Sequence, residues 1–273
     1  MKKTIISCVL FLTAVTAFSQ TPMKTAAEAK LSASDLAVKI ADRILATTTY
    51  EFKNTKTGKT YKSVKNLPLD MNVKVACKYN NWHYTNGVTH IALMELADKT
   101  GAKKYDDYVL KNMNFVFNEG NLDFFKKQYE QAMKNEGWYG VRKLSWHMIF
   151  RGKRLDDNGP MGASLIDLQM KHPNNSFLNY INETAEHLNY GEPRLADGTI
   201  ARIWPHENTI WADDAFMAIS FLARMAKMTG DMSYINDAAN QVIKYHKYLW
   251  CPEKRILYHC YHTDTDEHGV AHW

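Results

Sequence analysis

Two pairs of adjacent aspartates, Asp156-Asp157 and Asp213-Asp214, each open an apolar run with helical spacing, and aromatic residues stand in the matching loops: Trp82, Tyr84 and Trp211. Carboxyls can give or take a proton, and apolar neighbours or a second negative charge raise the pKa that governs this exchange. Aromatic faces stack on the apolar faces of sugar rings. Acid pairs among aromatic rings therefore suit a carbohydrate site. Asp at a helix start is also favoured for capping and for its interaction with the helix dipole, and a lone Trp is often a core ring. Four histidines, His259, His262, His268 and His272, crowd a polar C-terminal stretch without a standard zinc spacing, so no metal and no cofactor are expected.

The loops belong to a repeat. Trp82-His83-Tyr84-Thr85-Asn86-Gly87 leads into Val88, Ile91, Leu93, Leu96 and Ala97, stops at Thr100-Gly101, and is followed by a second helix from about Lys104 to Phe117. The pattern returns at Trp211, Leu222, Ala226, Thr229, Gly230 and Tyr234, which follow Trp82, Leu93, Ala97, Thr100, Gly101 and Tyr105 at one constant offset, 211 − 82 = 129. A looser copy opens at Leu155-Asp156-Asp157-Asn158-Gly159-Pro160-Met161-Gly162 and returns over Phe177 to Leu188 after Pro173. An amphipathic helix is expected earlier, from about Ala26 to Thr48, followed by a polar loop over Glu51 to Asn66. Strand-like alternation is scarce. The expected class is all-α, a series of helix hairpins whose inner-helix loops gather at one end.

Of 273 residues, 45% are hydrophobic, enough for a sizeable core and too many for a disordered chain. Lys and Arg number 34 against 29 acids, and the excess is scattered, so nucleic acid is not expected as a partner. Residues 1 to 20 carry Lys2-Lys3 and a short apolar run through Leu12, the pattern of a secretory signal peptide. Export to the periplasm or the outside is the expectation, with residues 21 to 273 as the working domain and no stable membrane insertion. Beyond Cys8, the three cysteines Cys77, Cys251 and Cys260 allow at most one disulfide.

Four runs in order, Trp82 to Gly87, Leu155 to Gly162, Ile210-Trp211-Ala212-Asp213-Asp214-Ala215-Phe216-Met217, and Leu257-Tyr258-His259, resemble the unsaturated uronyl hydrolases of glycoside hydrolase families 88 and 105, most closely family 105. The resemblance extends from about Leu36 to the last residue. It implies an (α/α)6 barrel and the removal of a 4,5-unsaturated uronic acid from lyase-generated oligosaccharides by hydration of the vinyl ether, which differs from attack at an anomeric carbon. By position, Asp213 matches the acid that protonates C4 and Asp156 a second acid that helps hold it and the sugar. Asp214 and Asp157 are the rivals one residue on. Trp82 and Tyr84 match the aromatic wall and His259 a residue near the uronate, with Trp211 a further candidate for substrate binding. The family's His-Lys pair is replaced by Arg202 and Ile203, which makes Arg202 a candidate for the carboxylate.

Trp273 matches the first residue of a Trp-Gly-Arg-x-x-Gly-Trp element of the pocket. A six-hairpin barrel needs about 330 residues at the hairpin lengths seen here, so the expectation is an incomplete barrel with little activity. Two other classes fit the same loops: a non-catalytic helical-repeat protein that binds glycan, and another (α/α) barrel enzyme such as a polysaccharide lyase or sugar epimerase.

Overall fold

The computed structural model describes residues 32–152 and 154–271. The expected signal peptide, Trp273 and His272 lie outside them. The chain divides into two units, 1–43 and 44–273.

The described part of the first unit holds most of α1 (Ala33–Thr47); the start of the helix expected from spacing lies outside the described residues. Its start is a capping box: Ser32 Oγ accepts from the Asp35 backbone N–H at 3.1 Å, and the Asp35 carboxylate accepts from the Ser32 backbone N–H at 3.2 Å.

The second unit is built on three hairpins: α2 (Tyr84–Thr100) with α3 (Lys104–Val116), α6 (Leu155–Lys171) with α7 (Asn175–Glu186), and α8 (Ala212–Thr229) with α9 (Met232–Leu249). Helices α2, α6 and α8 lie side by side in that order, and α3, α7 and α9 pack behind their own partners. Gly101 and Gly230 end α2 and α8 with φ of 71° and 76°, a left-handed conformation that glycine adopts without strain. The 129-residue register is thus a repeat of structure.

Close contact between the inner helices depends on glycine. A Cβ on Gly87 of α2 would lie 2.3 Å from the Pro160 carbonyl carbon of α6, and one on Gly159 would lie 2.7 Å from the Met217 carbonyl oxygen of α8. Behind them Val109, Met113, Leu165, Ile166, Phe177, Phe221 and Leu222 form a buried core.

Between the first two hairpins stand two helices absent from the sequence reading, α4 (Glu119–Val141) and α5 (Met148–Arg151). The stretch from Phe52 to Val75, read in part as a plain polar loop, holds a small antiparallel sheet: β1 (Phe52–Asn54) between β2 (Thr60–Tyr61) and β3 (Val73–Val75). Gln128 of α4 donates to the Asp70 and Val73 carbonyls at 2.8 Å, and Phe52 packs on Phe115, Phe124 and Phe125, so α4 and the sheet form one block.

Later strands are short: β4 (Thr209–Trp211), β5 (Trp250–Cys251), β6 (Ile256–Leu257), β7 (Cys260–His262) and β8 (Glu267–His268). Cys77, Cys251 and Cys260 are free thiols. No described helix is long and apolar enough to cross a membrane.

Candidate active site

Helices α6 and α8 both begin without a side-chain cap. Their N-cap residues are Arg154 and Trp211, and the aspartates occupy the second and third helical positions, where the positive end of the helix dipole favours them. Adjacent residues on a helix point in different directions, and the two pairs divide their work in the same way.

The second aspartate of each pair is buried and held by an arginine. Asp157 is 0% exposed and accepts two hydrogen bonds from Arg151, Nε to Oδ2 and Nη2 to Oδ1. Asp214 is 1% exposed and accepts from Arg202 in the same paired manner at 2.7 Å each. Such planar, two-point contacts fix orientation as well as charge. Burial pushes the Asp214 carboxyl up to about 6 against the opposing pull of Arg202. The Asp157 carboxyl is also raised by burial, with Arg151 opposing. Burial would pull the Arg202 guanidinium down, but the Asp214 hydrogen bonds and the surrounding carboxylates outweigh it and keep Arg202 charged.

The first aspartate of each pair remains accessible. The side chains of Asp156 and Asp213 are 31% and 24% exposed. Asp156 Oδ1 lies 3.5 Å from Arg202 Nη2, so one guanidinium ties the start of α6 to the start of α8. Asp213 Oδ2 lies 3.3 Å from His259 Nε2, is itself shielded from solvent, and has no partner in hydrogen-bond geometry among the described residues.

Strand pairing brings His259 there from far along the chain. β4 and β7 are antiparallel with Trp211 opposite Cys260, and the Ala212 backbone N–H donates to the His259 carbonyl at 2.8 Å. The His259 ring meets Trp211 edge to face at 5.0 Å. Arg202 arrives on a return bend, its backbone N–H donating to the Thr209 carbonyl at 2.7 Å, and its guanidinium lies over the Trp211 ring at 4.5 Å.

Asp156, Arg202, Asp213, Trp211 and His259 are therefore brought together. Tyr84, half-buried at the start of α2, meets the His83 ring at 4.4 Å with the planes tilted by 33°. His83 feels the charges of Asp156 and Arg151, and burial lowers its pKa. Trp82 does not belong to a sugar-binding wall. It is 0% exposed, donates from Nε1 to the Asp157 carbonyl at 2.6 Å, and packs among Phe117, Trp146 and Tyr180. The sequence match placed it by spacing, and core rings filled the space around it.

A cavity of about 230 Å³ opens beside Asp156 and Arg202. Arg154, His187, Glu192, Ile203 and Trp204 also line it, and none of these was singled out for the site from sequence. His187 Nε2 pairs with Glu192 Oε2 at 2.8 Å across a π-helical turn, His187–Gly191, a spacing with no sequence signature. Arg154 does carry a sequence signal, a cation directly ahead of an acid pair at a helix start. No cluster of three or more His, Cys, Asp or Glu that could hold a metal exists among the described residues.

The sequence model of glycosyl hydrolase family 88 matches residues 56–272. The chain belongs to glycosyl hydrolase family 88. A comparison with curated proteins gives no significant match. Among solved structures, a possible member of the GH105 family from Salmonella enterica serovar Paratyphi A superposes with a TM-score of 0.54 at 14% identity, covering 90% of this chain and 56% of that one. A family 105 glycoside hydrolase from C. acetobutylicum gives 0.51 at 21% identity, covering 76% and 50%. An α-1,6-mannanase, GH76A of Salegentibacter sp. HEL1_6, gives 0.51 at 14% identity, covering 87% and 58%. These likenesses are of fold, the all-α arrangement of (α/α) hairpins expected from the repeat. The chain spans between 50% and 58% of the length of these structures.

Proposed function

We propose that this family 88 chain is a hydrolase of the unsaturated uronyl type, acting on a sugar that carries a C4=C5 double bond at the non-reducing end. One observation carries the reading: in both aspartate pairs the second acid is spent on an arginine, and the first, Asp213 or Asp156, is left accessible beside aromatic rings.

Asp213 donates a proton to C4 while a water adds at C5 and gives up its own proton, which restores the acid. The new hydroxyl makes C5 a hemiketal. Breaking the bond between C5 and the ring oxygen leaves a ketone at C5 and a hydroxyl on C1, and that hemiacetal expels the remaining sugar. Asp156, on the cavity wall, holds the sugar, and Arg202 fixes both helix starts. His259 sets the orientation of Asp213, and Trp211 and Tyr84 offer ring faces to the substrate. The likeness to GH105 structures supports a family 105 substrate within this type, and the N-terminal sequence supports export.

The double bond conjugated to the uronate carboxylate absorbs in the ultraviolet. Loss of that absorbance from an unsaturated disaccharide is the expected result. A rise in absorbance on intact polysaccharide would make the protein a lyase, and binding without any change would make it a glycan-binding repeat.

A further inference from the structure

Each charged group on the cavity wall has an ion-pair partner among the described residues, with one exception. Arg202 is committed to Asp214 and Asp156, and His187 to Glu192. Arg151, which does not line the cavity, is committed to Asp157. The Arg154 guanidinium lines the cavity and forms no hydrogen bond or ion pair with any described residue. It lies over the Trp204 ring at 4.8 Å instead. A guanidinium held over an aromatic ring can keep its N–H edge free, and that edge can receive a carboxylate through two parallel hydrogen bonds.

We propose that Arg154, braced by Trp204, is the residue that binds the carboxylate of an acidic sugar in this cavity and so sets the preference for uronates over neutral sugars. The assignment deepens the hydrolase reading and rests on it for the identity of the ring. It relieves Arg202 of the role that its position in sequence had suggested, since the paired edge of Arg202 already grips Asp214. It also puts the anionic end of the substrate next to Asp156, two residues along the chain, with Ile203 and Trp204 as an exposed apolar rim at 66% and 60%. Burial, together with the like charges of Arg151 and Arg202, holds the Arg154 pKa below its usual value against the opposing pull of Asp157 and Asp156.

The test is titration of the chain with methyl glucuronoside and with methyl glucoside, followed by chemical-shift changes, for wild type, Arg154→Gln and Arg154→Lys. Wild type is expected to prefer the acidic probe. Arg154→Gln should weaken the acidic probe about tenfold to a hundredfold, the size of a charge-assisted hydrogen-bond pair, and leave the neutral probe unchanged. Arg154→Lys should keep part of the preference. An Arg154→Gln chain that still prefers the acidic probe, or a wild type with no preference, overturns the assignment. Turnover of an unsaturated disaccharide is measured alongside. If wild type shows none but retains an Arg154-dependent preference, the hydrolase reading fails and the carboxylate site stands.

Discussion

Arg202 holds Asp214 by two hydrogen bonds of 2.7 Å, and its Nη2 also lies 3.5 Å from Asp156, so one half-buried cation joins the first turns of α8 and α6. The carboxylates at the two helix starts are positioned by this joint as much as by the helices themselves. Asp213 and Asp214 are neighbours in sequence but opposite in role, because only Asp214 turns toward the arginine.

The division predicts opposite consequences for neighbouring substitutions. Asp214→Asn leaves the half-buried Arg202 with a weakened partner at a buried position and should cost about 3 kcal/mol, within the range for breaking a buried pair. Asp156→Asn should cost under about 1 kcal/mol, as expected for a partly exposed side chain. Urea unfolding midpoints of the two variants make the comparison, and equal losses would contradict the assignment.

Lysine cannot replace Arg202. A point charge cannot make the paired contact to Asp214, stack on Trp211 and still reach Asp156. Arg202→Lys should lose about 1–3 kcal/mol of stability and most of any turnover. Wild-type values for both in thermal melts and rate assays would show that charge alone suffices.

The inner-helix contact can be tested at Gly87. Alanine there would force its Cβ against the Pro160 backbone and push α6 away from α2. Overpacking of this kind costs about 1–3 kcal/mol. Turnover should fall with it, because Asp156 moves with α6. A Gly87→Ala chain with an unchanged melting temperature would mean that the helices are not in such close contact.

Acid should destabilise the fold through His90. The ring is 2% exposed, neither nitrogen has a hydrogen-bond partner among the described residues, and burial pushes its pKa down from 6.5 to about 4. The folded state keeps this ring neutral while the unfolded chain protonates it. Stability is therefore full above pH 6.5 and is lost as pH falls from there toward 4, by roughly 3 kcal/mol. His147, also lowered to about 4 mainly by burial, adds to the same limb. His90→Leu should flatten the fall in melting temperature over this range by about half, and an unchanged slope would disprove the buried-neutral account.

Spacing made the frame legible. The offset that joins Gly101 to Gly230 predicted both hairpins, and the acid pairs fell at helix starts as expected. Sequence could not tell Asp213 from Asp214, since the arginine that decides arrives from a bend twelve residues earlier. Nor could it separate Trp82 from Trp211, which share a place in the repeat. Phe117, Trp146 and Tyr180 close over the first, while the second keeps one face for Arg202. Helix α4 escaped notice because its exposed polar face outweighs the few positions, such as Phe124, Phe125 and Gln128, that it buries.

The most direct test follows the ultraviolet absorbance of an unsaturated uronyl disaccharide with wild type and Asp213→Asn side by side, after circular dichroism has shown both folded. Wild type should consume the double bond, and Asp213→Asn should be slower by at least about a hundredfold, the contribution of a positioned general acid. A folded Asp213→Asn chain that consumes it at the wild-type rate would contradict the account.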